Sequence, residues 1–166
     1  MYQKILLPLD GSQLAEKALP HAVAVAKATG AEVTLVTVVQ HVLGGPGKGY
    51  VETLPEVVAE RQLAAQAEAM LYLERIQREL KEQGVVAHCD TLENDVAEAI
   101  VGYAERKGFD LIAMATHGRS GFDRFIMGSI AEKVVRGSLK PVLLIRALPL
   151  VSRPVDQSPE IPPFLP

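Results

Sequence analysis

Five short, nearly continuous apolar runs alternate along this chain with stretches of helical spacing, and each run is cut off by turn residues. The runs are Lys4–Leu9, Glu32–Val39, Asp110–Ala115 and Pro141–Ile145, with Val85–Thr91, which carries His88 and Asp90, a weaker one. Runs this short with no polar alternation are the signature of strands buried on both faces, which is how parallel strands sit. Between them, Ser12 is placed to cap a helix that closes at Gly30. Pro55 opens a long helix to Gln83, Asp95 caps one to Lys107, and Gly128-Ser129 starts one through Arg136. Regular β-α alternation predicts an α/β fold, a doubly wound five-stranded parallel sheet of order 3-2-1-4-5 with helices on both faces. The glycine-rich stretch Gly44–Gly49 and the segment Thr116–Ile126 read as loops. Residues 148–166 hold six of the eleven prolines, so the division expected is a domain over 1–147 and a proline-rich tail over 148–166.

Bulk properties exclude several classes. With 166 residues and a net charge of −3, the chain has no broad cationic face for nucleic acid. No window approaches the roughly 20 apolar residues of a membrane span, and the apolar stretch after Met1-Tyr2-Gln3-Lys4 is too short for a signal peptide. Cys89 is the single cysteine, so no internal disulfide forms, which suits a reducing compartment. A cytoplasmic location is expected. His21, His41 and His88 fall on separate elements without ligand spacing, so they predict no metal site.

Open parallel sheets bind ligands beyond the carboxyl ends of their strands, at the point where the winding reverses. In the predicted order that point lies between strands one and four, and both of those ends are chemically loaded. Strand one runs into Pro8-Leu-Asp-Gly-Ser12, and strand four into Ala115-Thr-His-Gly-Arg-Ser-Gly121. Gly118 and Gly121 permit a tight backbone path that presents amides to an anion. Gly128-Ser129 opens a helix whose first N–H groups lack internal partners, and Arg119 and Arg124 add positive charge. Together they make a phosphate cradle that is neither a Walker A loop nor the dinucleotide fingerprint of a first strand. Plainer roles stand beside these: Asp10 shaping its turn with Gly11, His117 orienting backbone, Cys89 as a buried small hydrophobe, and Leu63, Ala67, Met70, Leu71, Leu73, Ile76 and Leu80 as a core stripe. Ser120 lacks a G-x-S-x-G setting. No base is evident and no carboxylate pair is set up for two metals, so turnover, if any, is expected to be slow.

The segments Ile5–Ser12, Asp110–Gly121, Met127–Val134 and Pro141–Ile145 resemble the universal stress protein family, in order and spacing, over residues 2–146. The ATP-binding branch of that family carries glycine, two residues, glycine, nine residues, glycine, then serine or threonine. Gly118, the nine-residue gap, Gly128 and Ser129 match, and Ala115 stands at the first glycine. The resemblance implies a Rossmann-like fold of the adenine nucleotide alpha hydrolase type and a nucleotide-dependent stress-response or regulatory role. Its cofactor would be ATP or another adenine nucleotide, with Mg²⁺. It implies Asp10 at the ribose or at a phosphate-bound cation, Pro8 beside base or ribose, and Val38 meeting adenine mainly through its backbone. Ala115, His117, Gly118, Arg119, Gly121, Gly128, Ser129 and Ile130 would surround ribose and phosphates. It also implies a homodimer paired through Val142–Ile145. Where many members have a glycine and a proline, this chain has Glu93-Asn-Asp-Val96. The rival readings are a slow ATPase or phosphoryl transferase acting on a protein partner, and an interaction module that binds no nucleotide.

Overall fold

The computed structural model describes residues 2–40, 55–116 and 128–146. Its elements run β1 (Lys4–Pro8), α1 (Gln13–Glu16), α2 (Leu19–Thr29), β2 (Glu32–Val39), α3 (Pro55–Glu82), β3 (Ala87–Glu93), α4 (Val96–Arg106), β4 (Leu111–Ala115), α5 (Ser129–Gly137) and β5 (Val142–Ile145). The five strands form one sheet of order β3-β2-β1-β4-β5. Every pairing in it is parallel, with Ile5 opposite Val33 and Leu111, and Ala113 opposite Leu143. The predicted architecture and strand order are the observed ones.

Two apolar layers flank the sheet. Leu7, Leu35, Leu73, Ile76 and Ala113 belong to the layer under α2 and α3. Leu6, Val36, Ile100, Ile112 and Val134 belong to the layer under α4 and α5. Alternation along each strand sends successive side chains to opposite layers, which is why both parities of β1 and β2 are apolar.

Three local expectations are corrected. The helix expected from Ser12 to Gly30 is broken into α1 and α2. Pro20 lacks an N–H, and its ring would press on the carbonyl of Glu16, where α1 stops. The third strand starts at Ala87 rather than Val85, because Val85 still closes α3: its N–H donates to the Leu80 carbonyl at 3.0 Å, after Gly84 has turned the chain at φ 79°. Within the stripe assigned to α3, Leu73, Ile76 and Leu80 are buried, yet Leu63 and Leu71 are 68% and 69% exposed. With 28 residues α3 spans about 42 Å, well beyond the roughly 26 Å of the eight-residue β2. Much of it has no sheet beneath it. The second half of the chain places its caps as expected: Asp95 accepts the Ala97 and Glu98 amides at 3.1 and 3.3 Å and starts α4.

A cavity at the carboxyl edge of the sheet

The ends of β1, β2 and β4 and the starts of α1 and α5 converge on a cavity of about 800 Å³, which is within the usual size of a small-molecule site. Leu9 holds the end of β1 against its neighbour, its N–H donating to the Val36 carbonyl at 2.8 Å. The chain then turns at Gly11, with φ 80°. Asp10 builds that turn: its Oδ1 accepts the Ser12 amide at 3.0 Å and the Ser12 hydroxyl at 2.6 Å. Ser12 Oγ in turn accepts the Ala15 amide at 3.1 Å and caps α1. The turn-shaping role is therefore real. It does not remove Asp10 from the site, because the same residue lines the cavity.

On the other side, β4 ends at Ala115, 8% exposed. The Thr116 amide donates to the Ile145 carbonyl at 2.9 Å, and the Thr116 carbonyl accepts from Gly128 N–H at 2.9 Å. That second bond ties the start of α5 to the end of β4. Gly128 is the N-cap and carries no side chain, so among the described residues no side-chain oxygen caps the amides of the first turn. Those amides and the helix dipole face a cavity that Gly128, Ser129 and Ile130 line. Lys133 on α5 reaches Asp95 at 3.8 Å, bridging α5 to the cap of α4.

Of the residues singled out in the sequence, Pro8, Asp10, Val38, Ala115, Gly128, Ser129 and Ile130 line this one cavity. His117, Gly118, Arg119, Gly121 and Arg124 lie outside the described residues. Sequence reasoning missed the contribution of α3, which supplies Ala65, Glu68, Ala69 and Tyr72 to the wall, and it missed Thr37 beside them. The helical spacing of Ala65, Ala69 and Tyr72 marks a common face, yet only the sheet order shows that this face meets the cavity.

Tyr72 is held from two sides. Its hydroxyl donates to Glu16 Oε1 at 3.0 Å, and the Arg75 guanidinium lies 5.5 Å from its ring centroid. Arg75 also pairs with Glu16 at 3.1 Å and Glu79 at 2.7 Å. Burial, with Glu16 as acceptor, pushes the Tyr72 phenol well above its ordinary range, so it remains a neutral donor. Among the described residues no group of three His, Cys, Asp or Glu side chains is placed to hold a metal. His88 instead meets Glu32 at 3.3 Å on the sheet surface. Cys89 is half-buried, and desolvation pushes its thiol up to about 11, which leaves it protonated and unreactive. Among the described residues no helix is long and apolar enough to cross a membrane.

Residues 1–146 match the profile of the universal stress protein family. The chain belongs to that family. A universal stress protein of Methanocaldococcus jannaschii is 36% identical over 148 residues, covering 88% of this chain and 83% of the relative. Among solved structures, a second universal stress protein of that organism superposes with a TM-score of 0.75 at 32% identity, over 88% of this chain and 96% of the other. The universal stress protein UspA of Lactobacillus plantarum superposes with a TM-score of 0.74 at 25% identity, over 87% and 98%. Two more distant structures share the fold: a universal stress protein in complex with cAMP, with a TM-score of 0.59 at 20% identity, and one from Archaeoglobus fulgidus in complex with dAMP, with a TM-score of 0.55 at 23% identity.

Proposed function

We propose that this universal stress protein binds an adenine nucleotide, ATP foremost, in the cavity at the carboxyl edge of its sheet, and that occupancy tunes a stress-response or regulatory role. One observation carries the reading: the uncapped first turn of α5 opens into the same cavity as the ends of β1 and β2. Unpartnered amides at a helix start favour a phosphate, while the strand ends offer apolar wall and backbone groups to a base and ribose. In this reading Gly128, Ser129 and Ile130 receive the phosphates, with His117, Gly118, Arg119 and Gly121 completing their enclosure. Asp10 meets the ribose or the cation that accompanies the phosphates, Pro8 flanks the sugar, and the Val38 backbone meets the base. No cluster of described side chains is built to hold Mg²⁺ by itself, so the ion would arrive with the nucleotide and find Asp10 as a cavity carboxylate. That the same fold holds cAMP in one protein and dAMP in another supports an adenine ligand at the level of fold. The protein is further proposed to act in the cytoplasm as a homodimer joined through β5.

Isothermal titration with ATP, AMP and cAMP tests the reading. The expected outcome is saturable binding of at least one of them by the native protein. Gly128→Glu should abolish it, because the added carboxylate stands where the phosphates would sit, while circular dichroism stays native. A native protein that binds none of the three refutes the proposal.

A further inference from the structure

One side of α3 buries Leu73, Ile76 and Leu80 in the layer against the sheet. The other side carries apolar residues that lie open among the described residues. Ala59, Leu63, Ala67 and Leu71 recur every fourth position, so they form one row along the helix surface. All four are exposed, the two leucines by 68% and 69%. A single exposed leucine is ordinary on a protein surface, but here two stand about two turns apart in one row. Helix propensity alone does not call for them, because glutamate, lysine or glutamine serves nearly as well at a solvent-facing position. The row also alternates small and large side chains. Rows of this i±4 kind are the ridges that pack into the grooves of a neighbouring helix, and the alanines leave hollows between the leucines for a partner's side chains.

Charge narrows the kind of helix that fits. Glu56 and Glu60 lie on the same side of α3 at the start of the row, Glu74 lies at its end, and all three are exposed. The ion pairs of α3 are made further round the helix, by Arg75 with Glu16 and Glu79. Among the described residues Glu56, Glu60 and Glu74 form no ion pair. Arg78, one turn beyond Glu74, bends back so that its Nε donates to the Glu74 carbonyl at 3.4 Å. An apolar row with carboxylates at both ends matches a helix whose own apolar row is bordered by lysine or arginine. A second copy of this chain does not match. In an antiparallel pairing centred on Ala67, Leu63 meets Leu71 but Glu60 falls opposite Glu74, and a parallel pairing sets each glutamate beside its own copy. Residues 147–166 do not match either, with the one cation Arg153 against Asp156 and Glu160.

We propose that the outer face of α3, from Glu56 to Glu74, is a docking surface for a basic amphipathic helix of another protein. The leucines supply the apolar contact, and the glutamates select the partner's charge. This face lies across the helix from the cavity wall of Ala65, Ala69 and Tyr72, so occupancy of one does not require the other.

The test is fluorescence anisotropy of a labelled helical peptide of leucine, alanine and lysine with one apolar face, titrated with the full chain. Its twin carries glutamate in place of lysine. The lysine peptide should bind saturably and the glutamate peptide should not. The double change Leu63→Gln and Leu71→Gln keeps helix propensity and charge and should weaken the lysine peptide about tenfold or more. Glu60→Gln with Glu74→Gln should weaken it about fivefold at low salt, and added salt should narrow that gap. Leu139→Gln, at an exposed leucine on another part of the chain, should leave affinity within about twofold. The proposal falls if the native protein does not bind the lysine peptide. It falls equally if the double leucine variant binds as well as the native protein, since charge attraction alone then explains the binding. A lower sedimentation mass or a lower melting temperature in that variant also overturns it, because the face is then already covered by a second copy or by the chain's own residues.

Discussion

At residue scale, Asp10 carries two demands that a single substitution can separate. Its Oδ1 accepts both the amide and the hydroxyl of Ser12, and through Ser12 it sets the cap of α1. Its charge also faces the cavity. An asparagine offers the same Oδ1 acceptor without the charge. Asp10→Asn should therefore melt close to wild type, whereas Asp10→Ala should lose about 1 kcal/mol with the turn and its cap. If Asp10 meets the nucleotide's cation, Asp10→Asn should nevertheless weaken ATP in the presence of Mg²⁺. Melting curves with and without ATP and Mg²⁺ read both effects, and unchanged ATP affinity in Asp10→Asn would confine the residue to its turn. The residues beside it show how legible the site was. Pro8, Asp10, Gly128 and Ser129 stood out because turn and helix-start chemistry is local in sequence. Thr37 and Tyr72 did not. A threonine in a β-branched run and a tyrosine on a long helix gain meaning only from what faces them.

At element scale, side-chain hydrogen bonds pin several element ends. Asp110, just before β4, accepts the amides of Gln3 at 2.8 Å and Lys4 at 2.9 Å and so pins the start of β1 to that of β4. Those two backbone donors hold its carboxyl below the usual carboxylate range. A carboxyl whose pKa is lowered by folding stabilises above its unfolded value of about 3.9, and that contribution is lost as pH falls through the lower folded value. Asp110→Asn should therefore cost about 1 kcal/mol near neutral pH, small because the group lies close to solvent. The gap to wild type should close as urea titrations are taken into the acid range below the unfolded value. A gap independent of pH would mean that the charge is irrelevant. Helix ends were similarly readable: Ser12 and Asp95 cap as their sequence positions imply. The break at Pro20 was equally local and was missed because apolar periodicity runs straight through it. Leu63 and Leu71 were assigned inward on spacing alone. Spacing marks a face of a helix, but not whether a sheet lies under that part of it.

At the scale of the whole molecule, the sheet has two edges, β3 and β5. Polar and charged residues guard β3, where His88, Asp90 and Glu93 interrupt the run. By contrast β5 is Val-Leu-Leu-Ile, with Leu139 87% exposed just before it. A short apolar edge without charged residues invites a second strand. The Pro141 and Ile145 carbonyls bond to β4, so alternation turns the polar backbone groups of Val142 and Leu144 outward. For the proposed dimer, Val142→Pro should remove an outward donor at the first strand residue, where proline is tolerated. It should shift the protein toward monomer in sedimentation equilibrium with its circular dichroism intact. A native protein already monomeric at high concentration would overturn the dimer reading.

What the amino-acid sequence by itself determined was the kind and order of elements, the parallel sheet, and the chemistry at the ends of β1 and β4. Each of these follows from patterns within a few residues: apolar runs, caps, glycine turns. Only the tertiary structure decided that α3 reaches the cavity, that Tyr72 is braced there by Glu16 and Arg75, and that the Thr37 hydroxyl is left without a partner. Those facts depend on contacts between segments tens of residues apart, whose distances are set by how the helices pack over the twisted sheet. No local pattern encodes that packing.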